Sequence, residues 1–161
     1  MALSASDLAG VVAYPSPQDL DRALERGGKA TGAGSALVTG NVVVLTDSTG
    51  LWARGTSDDA KRAGVVPKLY WGKDINTDAS AKCLILTGSG AEVYVIADGA
   101  IKQGARVQCG NGGRVKAWAT GKKAIGVYKG HYGEGVGEET ITDAAQNDAI
   151  RIALLEGDDV T

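Results

Sequence analysis

The sequence predicts a mainly β protein, built as a small β-barrel or β-sandwich, and three observations support this fold class. Most apolar residues occur in short runs separated by turn-forming Gly, Asp, Asn and Ser. Glycine accounts for 24 of the 161 residues, whereas phenylalanine is absent. A single segment carries the apolar spacing of an amphipathic helix. The length fits one domain or two small, similar lobes.

The one predicted helix runs from Ser16 to Gly27. Ser16 is suited to cap its first turn, and Pro17 is suited to the first helical position. Leu20 and Leu24 would lie on one face of the helix, and Gly27 would end it. The sequence therefore predicts one short amphipathic helix near the N-terminus.

The rest of the chain predicts short β-strands bounded by turn residues. Two of them contain continuous apolar runs, 42–45 and 83–86, which are typical of strands covered on both faces. The predicted strands lie at 10–14, 41–46, 51–54, 64–70, 82–87, 91–97, 105–109, 114–119, 123–128 and 149–155.

Two segments, 36–66 and 100–128, share the same order of features. Each predicts a strand, a tight turn with glycine, a second strand with a Trp-Ala-x-Gly motif, and a closing strand that contains Gly-Val. We expect two similar hairpin units that share a core, either in one barrel or in two lobes. Trp52 and Trp118 are expected to be packing anchors, with ligand stacking as the alternative.

The cysteines and charges exclude several classes of function. Cys83 and Cys109 are too far apart for a CxxC motif and are expected to be buried free thiols, although one bridge is possible in principle. The net charge of −2 gives no general attraction to nucleic acid. No apolar run is long enough to span a membrane, and the N-terminus does not resemble a signal peptide.

Motifs for catalysis, cofactors and metals are also missing from the sequence. His131 is the only histidine, so a catalytic triad or a zinc site would have to use it, within a glycine-rich loop. No nucleotide-binding glycine motif or EF-hand spacing occurs. The sequence therefore predicts a protein that is not an enzyme and that binds neither a cofactor nor a metal.

Segment 129–148 is predicted to be a long irregular loop, and we expect it to contact another protein. His131, Tyr132 and Val136 are its candidate interface residues. The alternative is a loop ordered only by packing against its own domain.

Two further interface candidates lie outside this loop. The first is the N-terminal segment 1–7, with Met1 and Leu3, which could lie across another chain as an arm. The second is Trp71, for which packing in the core is the alternative.

The C-terminal third of the chain resembles the small β-rich capsid decoration, or cement, proteins of tailed bacteriophages. The resemblance is carried by a strand entry at 99–107, a short strand at 115–117, an Ala-Ile-Gly-Val strand at 124–127 and a closing strand at 148–155. It implies a virion protein, made in the host cytoplasm, that binds the major capsid protein on the outer surface of the head, often as a homotrimer. The long segment after Tyr128 and the predicted helix depart from the simplest members.

Two other functions are kept as alternatives. A carbohydrate-binding or host-surface-binding β module on a virion would expose Tyr70, Trp71 or Tyr132 in a groove. A small enzyme would need a pocket with polar groups that converge on His131.

Overall fold

The computed structural model describes residues 3–14, 19–28, 37–46, 50–68, 83–137 and 139–155. Met1 and Trp71, together with the first residues of the predicted helix, lie outside the described residues. Eleven strands and two single-turn α-helices occupy the described part of the chain, so the prediction of a mainly β protein is confirmed. The two sheets are antiparallel and stay open, which makes the fold a sandwich rather than a barrel.

Two short α-helices, one 3₁₀ turn and eleven strands make up the regular elements in the described part of the chain. The helices are α1 (Ala5–Leu8) and α2 (Leu20–Ala23), and a 3₁₀ turn covers Asn111–Gly113. The strands are β1 (Val12–Tyr14), β2 (Leu24–Gly27), β3 (Val42–Leu45), β4 (Trp52–Arg54), β5 (Ala63–Val65), β6 (Cys83–Leu86), β7 (Glu92–Ile96), β8 (Arg106–Cys109), β9 (Val115–Ala117), β10 (Gly126–Gly130) and β11 (Ala149–Leu154).

The two sheets repeat one strand arrangement. Half A, residues 24–86, forms a sheet in the order β2-β6-β5-β3-β4, and half B, residues 92–154, forms the order β7-β11-β10-β8-β9. In each half the first strand therefore pairs with the last, and the second strand pairs with the third and the fourth. Half B carries one additional strand, β1, at the outer edge of β7.

The strand registers of the two halves match as well. Val43 on β3 lies opposite Gly64 on β5, and Val107 on β8 lies opposite Gly126 on β10. Each half also curls until its first and third strands meet at one end. In half A the amide of Trp52 donates to the oxygen of Gly28, and in half B Ala97 forms a bridge with Val115.

The two Trp-Ala-x-Gly motifs are not equivalent in this register. Trp52 lies opposite Leu45 on β3, and the corresponding position opposite Cys109 on β8 is held by Val115. Trp118 lies beyond the end of β9. The expected equivalence of the two tryptophans is therefore wrong by three residues, because a matching tetrapeptide does not fix a strand register.

The main core lies between the inner faces of the two sheets. It combines side chains of β3, β5 and β6 with side chains of β7, β8, β10 and β11. A second cluster on the outer face of half A contains Val43, Trp52 and Ile85. Val42 and Val44 belong to the main core, so the continuous run 42–45 is covered on both faces, as predicted.

The predicted helix 16–27 is wrong in its second half. Of the described residues of this segment, Leu20–Ala23 is helical, and Leu24–Gly27 is β2, which pairs with β6 over four residues. A side chain at Gly27 would collide with the ring of Trp52, so this glycine is required for close packing and not for a helix end. Tertiary pairing has overridden local helix propensity here.

The helix α1 is an element that the sequence analysis missed. The Oγ of Ser4 accepts from the amide of Asp7 (3.2 Å), and the carboxylate of Asp7 accepts from the amide of Ser4 (2.9 Å), forming a capping box. Leu8 is buried against Tyr94 and Ala149 on the outer face of half B. The described part of the expected N-terminal arm thus leads into a helix that packs on its own domain.

Candidate protein-binding site

The connection between β10 and β11 is the most distinctive surface feature of half B. It leaves β10 at Gly130, turns through residues 131–137 and rejoins the sheet where Ile101 forms a bridge with Ala144. Two apolar side chains project from the turn: Tyr132 is 63% exposed and Val136 is 65% exposed. Both are residues that the sequence analysis assigned to a protein interface.

His131 holds this turn to the body of the domain. Its Nε2 lies 2.9 Å from a carboxylate oxygen of Asp148, and its Nδ1 lies 3.1 Å from a carboxylate oxygen of Glu134. The Tyr128 hydroxyl lies 3.0 Å from Nδ1 and donates to the carbonyl oxygen of Thr142 at 2.8 Å. We call these five residues the His131 latch.

The carboxylate of Glu134 is the second centre of the latch. One of its oxygens accepts from the amides of His131 (3.0 Å) and Thr142 (3.2 Å), and the other accepts from the Thr142 hydroxyl (2.6 Å). Asp148 in turn accepts from the amide of Ala145 at 2.7 Å. The latch therefore joins the two ends of the connection to each other through side chains and backbone together.

These contacts set the protonation states within the latch. Burial lowers the pKa of His131, but its hydrogen bonds to Asp148 and Glu134 outweigh burial and raise that pKa above the ordinary value of 6.5. Burial raises the pKa of Glu134, but the donors from Thr142 and His131 outweigh it and lower the pKa to about 2. Burial raises the pKa of the Tyr128 hydroxyl, and the neighbouring carboxylates raise it further. Compared with an exposed histidine, His131 is therefore shifted toward its charged form, an imidazolium held between two carboxylates.

Arg151 on β11 supports the turn from below. Its guanidinium donates to the carbonyl oxygens of Lys129 (3.2 Å) and Glu134 (3.0 Å), and it lies 3.7 Å from the carboxylate of Glu92. The ring of Tyr132 packs over Tyr94 with 6.2 Å between ring centroids. The exposed aromatic ring is thus seated on the outer face of half B.

The remaining predicted site residues fall in different places. Leu3 is 54% exposed and precedes α1, whereas Met1 and Trp71 lie outside the described residues. Cys109 is confirmed as a buried free thiol, and burial raises its pKa to about 12. Trp52 is 1% exposed and is a packing anchor. Trp118 is only partly buried, with the Arg106 guanidinium 5.5 Å from its ring.

Sequence reasoning found His131 but missed the partners that position it. Glu134 was available as a candidate, because it follows His131 by three residues within a turn. Asp148 and Arg151 are distant in the sequence and meet His131 or its loop only through the pairing of β10 with β11. No pattern in the sequence alone indicates that meeting.

Within the described ranges, no three His, Cys, Asp or Glu side chains are grouped so as to hold a metal ion. None of the helices in that part of the chain is long and apolar enough to cross a membrane. Neither a scan against models of known protein families nor a search of curated proteins finds a match to this chain.

Proposed function

We propose that this protein is a capsid decoration protein that binds the outer surface of an assembled phage head and stabilises it. Its partner would be the major capsid protein, its location the virion surface, and its favoured oligomer a homotrimer. The observation that carries the proposal is the latched turn 131–137, which presents Tyr132 and Val136 to solvent from a rigid support.

A latched apolar turn is suited to docking on a protein surface. Ordering a loop during binding costs free energy, and a loop that is already held avoids that cost. Exposed apolar side chains that stand together on a firm support are typical of protein contacts.

The proposed role is structural and not catalytic. Both ring nitrogens of His131 already face carboxylates, so neither is available to take a proton from a substrate. In this proposal the latch positions the binding residues and performs no chemistry of its own.

The test uses phage heads that lack their decoration protein. The purified protein is added, and saturable binding and the heat resistance of the heads are measured. Tyr132→Ala is expected to weaken binding at least about tenfold, a loss typical of an aromatic anchor. Tyr14→Ala is the matched control, because Tyr14 is 59% exposed but lies on β1 and belongs neither to the latch nor to the turn.

Absence of saturable binding to such heads, with a well-folded protein, would contradict the proposal. Equal binding by the Tyr132→Ala and wild-type proteins would show that the capsid contact lies elsewhere on the molecule. Deleting residues 133–137 should weaken head binding more than folding, and equal losses of both would make the turn a structural element only.

A second candidate function rests on a cleft beside β1. Tyr14 borders an open cleft of about 550 Å³ together with Asp19, Arg22 and Ser89. An exposed aromatic ring beside charged and hydroxyl groups is an arrangement that can stack on a sugar ring and bond its hydroxyls. For a carbohydrate-binding module the two variants exchange roles: Tyr14→Ala should abolish glycan binding on an array, and Tyr132→Ala should retain it.

A further inference from the structure

The placement of His131 between two carboxylates makes the turn 131–137 depend on a single proton. Asp148 lies 2.9 Å from Nε2, and Glu134 lies 3.1 Å from Nδ1. A neutral imidazole carries one N–H, so one of its ring nitrogens has a lone pair in place of a proton. In either tautomer that lone pair would face a carboxylate oxygen at hydrogen-bond distance. The latch is therefore complete only while His131 is an imidazolium.

Loss of the proton is expected to break the contact with Glu134 rather than the contact with Asp148. The tautomer with its proton on Nε2 still donates to Asp148. Its Nδ1 can then accept from the Tyr128 hydroxyl, which already lies 3.0 Å away. The other tautomer has no such replacement, because Asp148 is the one described group within hydrogen-bond distance of Nε2. The repulsion between a lone pair and a carboxylate therefore falls on Glu134.

Glu134 is the residue through which the turn is held. Its carboxylate accepts from the amide and the hydroxyl of Thr142, so its movement would detach the turn from residues 142–148, which lead back to β11. Gly133 and Gly137 stand on either side of Glu134 with positive φ, and a Cβ at either would meet nothing within 4 Å. The backbone can rotate at such positions. The turn thus combines a charge-dependent contact with two positions at which it can open.

Charged and titratable groups face the latch from each element around it: Tyr128 from β10, Glu134 from the turn, Asp143 and Asp148 from the returning segment, Arg151 from β11 and Glu92 from β7. Against the effect of burial, hydrogen-bond donors keep the pKa values of the Glu134 and Asp148 carboxyl groups below their ordinary range. A lysine donor does the same for the pKa of Asp143. Burial raises the pKa of the Tyr128 hydroxyl. His131 is therefore the one member of the latch that changes its charge between about pH 5 and about pH 9.

We propose that the turn 131–137 is a proton-gated docking element, which is held in place while His131 is protonated and is released when His131 loses its proton. In the released state Tyr132 and Val136 no longer stand on a fixed support, so binding has to order the turn at a cost in free energy. What the turn binds rests on the proposed function, whereas the opening itself concerns this chain alone.

The test follows the turn in the isolated, tag-free chain between about pH 5 and about pH 9. Because His131 is the only histidine, the proton resonances of its imidazole report its titration without overlap from other histidine rings. Amide hydrogen exchange, expressed as protection factors, reports the opening of residues 131–142. Protection is expected to fall at least about fivefold as the pH rises, with the same midpoint as the imidazole resonances.

Two substitutions in the same contact separate gating from ordinary structural support. Glu134→Gln replaces the carboxylate with an amide, which can accept from the imidazolium or donate to the neutral Nδ1. This variant should keep the turn protected at the alkaline end, where the wild type opens. His131→Gln cannot gain the charge, so its protection should not vary with pH. Gln146→Ala, an exposed change in the same connection, is the matched control and should keep the wild-type profile.

Protection that stays constant while the imidazole titrates would overturn the proposal. Opening of the Glu134→Gln turn at the wild-type midpoint would overturn it as well. Near-ultraviolet circular dichroism checks that each variant retains the sandwich, and the wild-type titration decides the question even where a variant does not fold.

Binding to phage heads is measured separately at the two ends of the pH range. The affinity of the wild type should be at least about fivefold lower at the alkaline end, and that of Glu134→Gln should be the same at both ends. Heads that bind no protein at either pH, beside a turn that opens, would contradict the capsid proposal and leave the gating supported. Heads that bind equally well at both ends, beside a turn that opens, would overturn the docking role of the turn.

Discussion

Half A and half B have the same strand order and register, yet different side chains and elements cover their outer faces. Half A covers its outer face with a compact apolar cluster around Trp52. Half B places Tyr94 and Arg151 on its own outer face and adds α1, β1 and the latched turn 131–137. The strand arrangement is shared, but equivalent positions pack differently: Val43 belongs to the outer cluster of half A, whereas its equivalent Val107 belongs to the main core.

One pair of equivalent positions, Trp52 and Val115, illustrates this difference between the halves. Trp52 fills the outer cluster of half A, and the smaller Val115 occupies the matching place in half B, where its side chain belongs to the main core. Half A therefore stabilises the fold on both faces of its sheet. Half B leaves its outer face partly open, and the turn 131–137 presents Tyr132 there, over Tyr94.

The largest expected effect comes from the two tryptophans. Trp52→Ala should lower the free energy of unfolding by about 3 to 5 kcal/mol, because it removes a fully buried ring from the outer cluster. Trp118→Ala should cost no more than about 1 kcal/mol, because it removes only a partly exposed ring and the bond from its Nε1 to the Lys122 carbonyl oxygen (2.7 Å). Urea unfolding measures both.

Similar costs for the two substitutions would contradict the register described above and would restore the equivalence that the sequence motif suggests. Val107→Ala serves as an internal reference in this comparison, because Val107 is fully buried in the main core and its truncation should be destabilising in either case.

The next effect concerns a glycine that the two halves share. A Cβ at Gly64 would lie 2.9 Å from the Leu86 oxygen, and a Cβ at Gly126 would lie 2.9 Å from the Ala153 oxygen. Alanine at either position should therefore destabilise by about 1 to 3 kcal/mol. Gly64→Ala should be the worse, because its Cβ would also meet the Ile85 side chain at 2.5 Å. A neutral Gly126→Ala would show that half B is looser than half A.

Much of this fold was predictable because strand signals are local. Alternating or continuous apolar runs bounded by Gly, Asp and Asn located the strands to within a few residues. The exception, β2, fails for a non-local reason: the segment Leu24–Gly27 has helix-compatible residues, and only its pairing with β6 and its contact with Trp52 make it a strand. Neither partner is adjacent in sequence.

The candidate site was predictable only in part, again because the sequence shows local signals but not contacts between distant residues. His131 and the exposed Tyr132 and Val136 stand in one glycine-rich segment whose composition favours a loop. The loop is held in place by Asp148 and Arg151, which come close to it only because β11 pairs with β10.

The His131 latch should give half B a pH dependence near pH 6.5 that half A lacks, because His131 is the only histidine in the sequence. His131→Ala should lower the free energy of unfolding by about 1 to 2 kcal/mol below pH 6.5, where the imidazolium donates to both carboxylates. Because the folded pKa of His131 is raised, this contribution is fully present below the unfolded value and is lost as the pH rises through the folded value.

The carboxylates of the latch make stability depend on pH in the opposite direction. The pKa of Glu134 is lowered to about 2 and that of Asp148 is also lowered, so their contribution is present above about pH 4.5 and is lost as the pH falls further. Urea unfolding of wild type and variant across this range, with amide exchange of residues 131–142, measures the latch. Gln146→Ala, an exposed change in the same connection, should show no such window, and a pH-independent loss for His131→Ala would contradict the charged latch.

The smallest expected effect is an ion pair that belongs to half A alone. The guanidinium of Arg62 lies 2.7 Å from the carboxylate of Glu25 on β2, and the matching position on β7 is the apolar Val93. Because both side chains are partly exposed, Glu25→Gln should lower the free energy of unfolding by only about 0.2 to 1 kcal/mol at low salt. The difference should vanish in about 1 M salt, where screening acts within about 3 Å. A larger or salt-independent loss would mean that Glu25 helps to hold Arg62 over the Trp52 ring, 5.9 Å from its centroid, and so contributes to the outer cluster that distinguishes half A.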